Sequence, residues 1–62
     1  MNRTQATIIR YIKMIRGGDI ERITPADNRT VRVHYVNGNT ELLTYKNNSV
    51  VNVRTGEEVI TK

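Results

Sequence analysis

Sixty-two residues with seven Ile, seven Val and two Leu, but no Phe or Trp and only three Tyr, can bury one thin aliphatic core and not a second. The absence of Cys excludes disulfides, and with His34 as the only imidazole neither a structural metal nor a cofactor is expected. The formal charge of +4 belongs to the N-terminal segment: residues 1–18 hold Arg3, Arg10, Lys13 and Arg16 with no acid, while the six basic and six acidic residues that follow cancel.

Residues 3–16 read as an amphipathic helix, because Ile8, Ile12 and Ile15 recur at spacings of four and three, with Gln5, Ile9 and Tyr11 flanking the stripe. Asn2 with Gln5 three residues on forms an amide version of the capping box. Gly17-Gly18 is expected to supply a left-handed stop. Lys13 and Arg16 fall in the last turn, where cations suit the negative end of the helix dipole.

After Gly18 the period changes from helical to alternating, and five strands are predicted at about 19–24, 30–36, 39–45, 49–54 and 57–61. Pro25-Ala26-Asp27-Asn28 is expected to be the first turn. Val31, Val33 and Tyr35 then share one face of a strand whose other face carries Arg32, His34 and Val36. Asn37-Gly38 carries the strongest type I′ signal. A two-residue loop there would pair Val33 with Leu42 and His34 with Glu41, whereas a bulged loop would put Leu43 and Tyr45 on the core face. Lys46-Asn47-Asn48 and Thr55-Gly56 supply the last two turns.

The predicted architecture is α+β within a single domain over residues 1–62: an N-terminal helix packed on an antiparallel meander of four or five strands. The Ile stripe would lie across Val31, Val33 and Val51 or Val53. The alternative is a small SH3-like barrel with the helix capping one end.

Catalytic chemistry finds little purchase in these residues. Ser49, the one serine, has no base near it in sequence, and His34 reads as a cross-strand surface partner. Glu57 and Glu58 point to opposite faces of a strand, and Asp19 with Glu21 reads as a solubilising pair. Gly17-Gly18 follows a helix where a phosphate loop would have to open one. A substrate pocket of about 300 Å³ or more is also hard to carve from so thin a domain. No enzyme and no small-molecule substrate is therefore expected. Asn2-Arg3-Thr4, Asn28-Arg29-Thr30 and Asn47-Asn48-Ser49 match the glycosylation sequon but read as cap and turn residues.

The longest run of large aliphatic residues is two, so neither a secretory signal nor a membrane span is predicted and a cytoplasmic location is expected. Two kinds of surface remain for binding. Arg3, Arg10, Lys13 and Arg16 form a basic helix face suited to phosphates or an acidic partner. Arg32, His34, Val36, Leu43, Tyr45 and Val50, with Leu42 as the alternative to Leu43, form a possible sheet interface. The expected function is that of a small regulatory or inhibitory protein that binds a protein partner, or a second copy of itself as a homodimer. The alternative is a basic DNA- or RNA-binding module that uses Arg3, Arg10, Lys13 and Arg32 on phosphates.

Overall fold

Asn2 caps the helix by the predicted pairing: its Oδ1 accepts the Gln5 amide at 2.9 Å, and Gln5 Oε1 accepts the Asn2 amide at 3.1 Å. The computed structural model describes residues 2–61. In it α1 (Arg3–Arg16) leads through a 3-10 turn (Gly17–Asp19) into five strands, β1 (Ile20–Asp27), β2 (Thr30–Tyr35), β3 (Thr40–Lys46), β4 (Ser49–Asn52) and β5 (Glu58–Thr61). Every strand pairs antiparallel with its chain neighbour, in the order β1-β2-β3-β4-β5. The sheet stays open with β1 and β5 as its edges, so the alternative of a closed barrel does not hold.

The expected left-handed stop at Gly17-Gly18 is absent. Gly17 keeps a right-handed helical φ of −52°, and the chain leaves the helix by tightening into the 3-10 turn. The Val36 amide donates to the Asp19 carbonyl at 2.9 Å and ties that turn to the far end of β2.

Pro25 is the second correction: β1 continues through it to Asp27, where a turn had been expected. An edge strand tolerates proline because the missing donor need not belong to a ladder. Ala26 is an extra residue between the pairs Pro25–Val31 and Asp27–Thr30, and Glu21 is another between Ile20–Tyr35 and Arg22–His34. The turn itself falls at Asn28-Arg29, with the Arg29 amide donating to Asp27 Oδ1 at 2.9 Å.

The β2–β3 hairpin takes the bulged form. Val31 pairs with Leu43, Val33 with Glu41 and His34 with Thr40. Gly38 has a φ of 91°, while no other residue of that loop is left-handed, so a type I′ turn is ruled out at Asn37-Gly38. The type I′ geometry occurs one hairpin later, where Asn47 and Asn48 adopt φ of 51° and 62° between the paired Lys46 and Ser49.

These registers decide the core. Ile8 and Ile12 pack with Val31, Val33, Leu43 and Val50, all fully buried, and the helix lies over β1, β2 and β3. Val50, which pairs with Tyr45, replaces the expected Val51 or Val53 under the helix. Ile15 leaves the stripe and is 51% exposed. At about 100° per residue, Ile15 and Arg16 straddle the direction of Ile12, and the sheet side goes to Arg16. Gln5 is buried instead, its amide nitrogen donating to the Asp27 carbonyl and, at 3.3 Å, to that of Thr30.

Candidate functional site

Among the described residues one helix covers one face of the sheet, and no element covers the other. Strand parity assigns each side chain to a face. On the uncovered face Arg22 stands opposite His34, Thr24 opposite Arg32, Arg32 opposite Leu42, and Thr44 opposite Val51. The Val53 amide donates to the Leu42 carbonyl at 3.0 Å, which brings Val53 beside Leu42. Thr24 Oγ1 lies 3.2 Å from His34 Nε2.

The face is thus divided. Its β1–β2 half is charged, with exposed Arg22 and Arg32 around half-buried His34, exposed Glu21 beside Arg22 at the bulge and Asp27 opposite Thr30 at the end; neither arginine forms a hydrogen bond or ion pair with a described residue. Its β3–β4 half is aliphatic: Leu42 and Val51 are half-buried and Val53 is 50% exposed. Lys46 and Thr44 close one end.

The expected sheet interface needs correction against this division. Leu43 and Val50 are fully buried under the helix and cannot meet a partner. Tyr45 is on the same covered face, half-buried and stacked on Tyr11 with ring centroids 6.5 Å apart and planes 20° apart. Arg32 and His34 do lie on the uncovered face. Val36, 63% exposed, sits in the β2–β3 loop beyond the strands. Leu42, the expected alternative to Leu43, does lie on this surface, and Arg22, Val51 and Val53, which were not expected in the interface, complete it, because their common face follows from the register of the strands.

The four residues of the predicted basic helix face also separate. Arg3, Arg10 and Lys13 are exposed on the outer side of α1. Arg16 instead enters a polar cluster on the covered face. Its Nη1 donates to Tyr35 Oη and to Glu41 Oε1, each at 2.7 Å, and its guanidinium lies 5.9 Å from the Tyr35 ring centroid. Tyr35 Oη donates to Glu41 Oε1 at 2.5 Å, and Asn52 Nδ2 donates to Glu41 Oε2 at 2.9 Å.

Burial pushes the Glu41 carboxyl up, but hydrogen bonds from Tyr35 and Asn52, with the Arg16 charge, outweigh it and hold the group below the usual carboxylate range. The Tyr35 hydroxyl is raised, first by burial and then by its bond to Glu41. The Arg16 guanidinium is raised as well, chiefly through its bond to Tyr35.

This cluster floors an open depression of about 950 Å³, rimmed by Asp19, the Asn37-Gly38-Asn39 loop, Arg54 and Thr55. Size alone had suggested no space so large. A second hollow, of about 450 Å³, runs between α1 and β1 past Ile9, Lys13, Ile20 and Ile23. Among the described residues no three His, Asp or Glu side chains gather closely enough to hold a metal ion, and no helix is long and apolar enough to cross a membrane.

Comparison with protein-family models finds no match for this chain, and searches of curated proteins and of solved structures find none either.

Proposed function

We propose that the chain is a non-catalytic regulatory or inhibitory protein that docks on a protein partner through the uncovered face of its sheet. The observation that carries this reading is the aliphatic patch of Leu42, Val51 and Val53 on a sheet face that no element among the described residues covers.

A catalytic reading gains nothing from the cluster of Arg16, Tyr35 and Glu41. Glu41 is held ionised and Tyr35 is held protonated, each shifted away from neutrality, whereas a working acid or base is tuned toward it. Their polar atoms are also committed to one another.

The nucleic-acid reading keeps one observation in its favour, the exposed Arg3, Arg10 and Lys13 on a helix face without an acid. Against it stands the placement of the aromatics. Tyr35 and Tyr45 are on the covered face and Tyr11 stacks there, so the uncovered sheet offers a base no tyrosine and a single ring, the half-buried imidazole of His34.

The deciding experiment is a tagged pull-down from the native cell after nuclease treatment, run beside Leu42→Asp and Arg10→Glu/Lys13→Glu. Capture that survives high salt, is lost with Leu42→Asp and is kept by the helix variant supports protein docking. Loss with the helix variant, and a log-linear fall in affinity with salt, would assign the chain to nucleic acid.

A further inference from the structure

We infer that Asn37 is a modification site, at which the chain converts itself, with water as the co-reactant, from asparagine to a mixture of aspartate and isoaspartate. Of the seven asparagines it is the one that a glycine follows; Arg3, Arg29, Thr40, Asn48, Ser49 and Val53 follow the others. The next residue matters because its backbone nitrogen is the nucleophile, reaching the asparagine Cγ through a five-membered ring. A Cβ on that residue crowds the approach and restricts the rotation that brings the two atoms together, and Gly38 carries none.

The hairpin tip holds the reacting groups in the open. Asn37, Gly38 and Asn39 are exposed in the loop between β2 and β3, and a side chain at Gly38 would meet nothing within 4 Å. Asn37 Oδ1 accepts the Asn39 amide at 3.0 Å, which draws electron density from Cγ and faces the negative charge that this oxygen gains during attack. Asn37 Nδ2, the nitrogen that leaves, has no hydrogen-bond partner among the described residues. One contact opposes the reaction, the donation of the Gly38 amide to the Tyr35 carbonyl at 3.0 Å. That bond closes a single turn beyond the last strand pair, His34 with Thr40, and opens locally while the sheet stays folded.

Other asparagines are worse placed. The amide that would attack Asn48 belongs to Ser49, which is buried and paired with Lys46. Asn52 is held at both ends of its side-chain amide, Oδ1 by the Arg54 and Thr55 amides and Nδ2 by Glu41.

In the reaction the Gly38 nitrogen, having lost its proton to hydroxide, adds its electron pair to Cγ. The Cγ–Nδ2 bond breaks, and ammonia leaves with a proton from water that restores the hydroxide. The Gly38 nitrogen is then joined to both carbonyl carbons of residue 37 in a cyclic imide, which water opens. Scission between the nitrogen and Cγ gives aspartate, whereas scission between the nitrogen and the main-chain carbonyl carbon gives isoaspartate. Either product adds a negative charge to the rim of the depression floored by Arg16, Tyr35 and Glu41. Isoaspartate also lengthens the main chain of the turn that the Gly38–Tyr35 bond closes.

The test is to incubate the purified full chain, shown by circular dichroism to be folded, at neutral and at mildly alkaline pH, and to follow each asparagine by peptide mapping that separates aspartate from isoaspartate. Asn37 should convert at least about tenfold faster than any other asparagine, a ratio that takes about 1.4 kcal/mol of barrier difference. Both products should appear, at a rate that rises with pH as the amide nitrogen loses its proton. Asn37→Gln, for which the ring would need six members, should keep its charge over the same period on isoelectric focusing. Faster conversion at another asparagine would overturn the inference. Aspartate without isoaspartate would do so too, because direct hydrolysis of the side chain passes through no imide. Absence of conversion in the folded chain, set beside conversion in urea, would overturn it by showing that the Gly38–Tyr35 bond locks the tip; absence in both would overturn it outright.

Discussion

Glu41 is the residue on which the covered face stops being apolar. It lies opposite Val33, yet it accepts hydrogen bonds from Arg16, Tyr35 and Asn52, so a carboxylate can end a hydrophobic layer without being left unpaired. Arg16 and Glu41 keep 37% and 18% of their side-chain surface exposed, and solvent screening limits what the pair contributes. Glu41→Gln, which keeps the shape and loses the charge, is expected to cost about 1–2 kcal/mol at neutral pH, measured by urea unfolding. Because the folded-state pKa is lowered, the stabilisation is complete above the ordinary glutamate value of about 4.3 and is lost as pH falls through the lower folded value. The stability gap between wild type and Glu41→Gln should therefore be flat from about pH 7 to 5 and close below about pH 4; a gap that ignores pH would contradict the assignment. Gln5 makes a parallel case without charge. Its buried amide bonds the carbonyls of Asp27 and Thr30, so Gln5→Ala should cost about 1–3 kcal/mol by the same measurement even though alanine is the better helix former.

Within the elements, adjacent leucines provide the sharpest check on the β2–β3 register. Leu43 is fully buried under α1, whereas Leu42 is half-buried on the other side of the same strand. Leu43→Ala should lower the unfolding free energy by about 2–5 kcal/mol and Leu42→Ala by less than about 1.5. Equal losses would mean that the hairpin is not bulged. Gly38 holds that bulge with its φ of 91°, and a Cβ there would meet nothing within 4 Å. Gly38→Ala should thus cost about 1–2 kcal/mol from backbone conformation alone, read as a fall in thermal midpoint without loss of sheet signal. Much of this level was legible beforehand. The Asn2–Gln5 box and the 31-33-35 alternation depend on neighbours in sequence, and both are present as expected. What was not legible depends on partners. Pro25 can continue β1 because β1 is an edge, and strand order is not written in any local window. Leu42 and Leu43 exchange faces with a one-residue change of register, so a plausible interface that included Leu43 and Val50 became core, and Val51 became surface. Ile15 and Arg16 were close competitors for the sheet side, and the decision came from Glu41 and Tyr35 on strands far along the chain.

For the molecule as a whole, two layers with six fully buried aliphatic side chains among the described residues give a stability in which any single large effect is a substantial share. A ligand that binds only the folded chain then has a large thermal signature. At a concentration of 100 times its dissociation constant it adds about 2.7 kcal/mol. For a domain of this size each kcal/mol moves the midpoint by about 4–8 °C, so a partner segment that docks on the uncovered sheet should raise it by roughly 10–20 °C at that concentration. With Leu42→Asp the same segment should give at most about half that rise, because a tenfold loss of affinity at that concentration leaves about 1.4 kcal/mol, while Arg10→Glu/Lys13→Glu responds like wild type. The contrast separates the helix face from the sheet face, which net charge alone cannot. The helix face attracts anions at long range and loses that pull as salt approaches about 1 M, where the screening length is near 3 Å. The sheet face adds contact with Leu42, Val51 and Val53, which salt does not screen. A midpoint shift that persists at 1 M salt therefore locates binding on the uncovered sheet, and one that disappears there locates it on the helix.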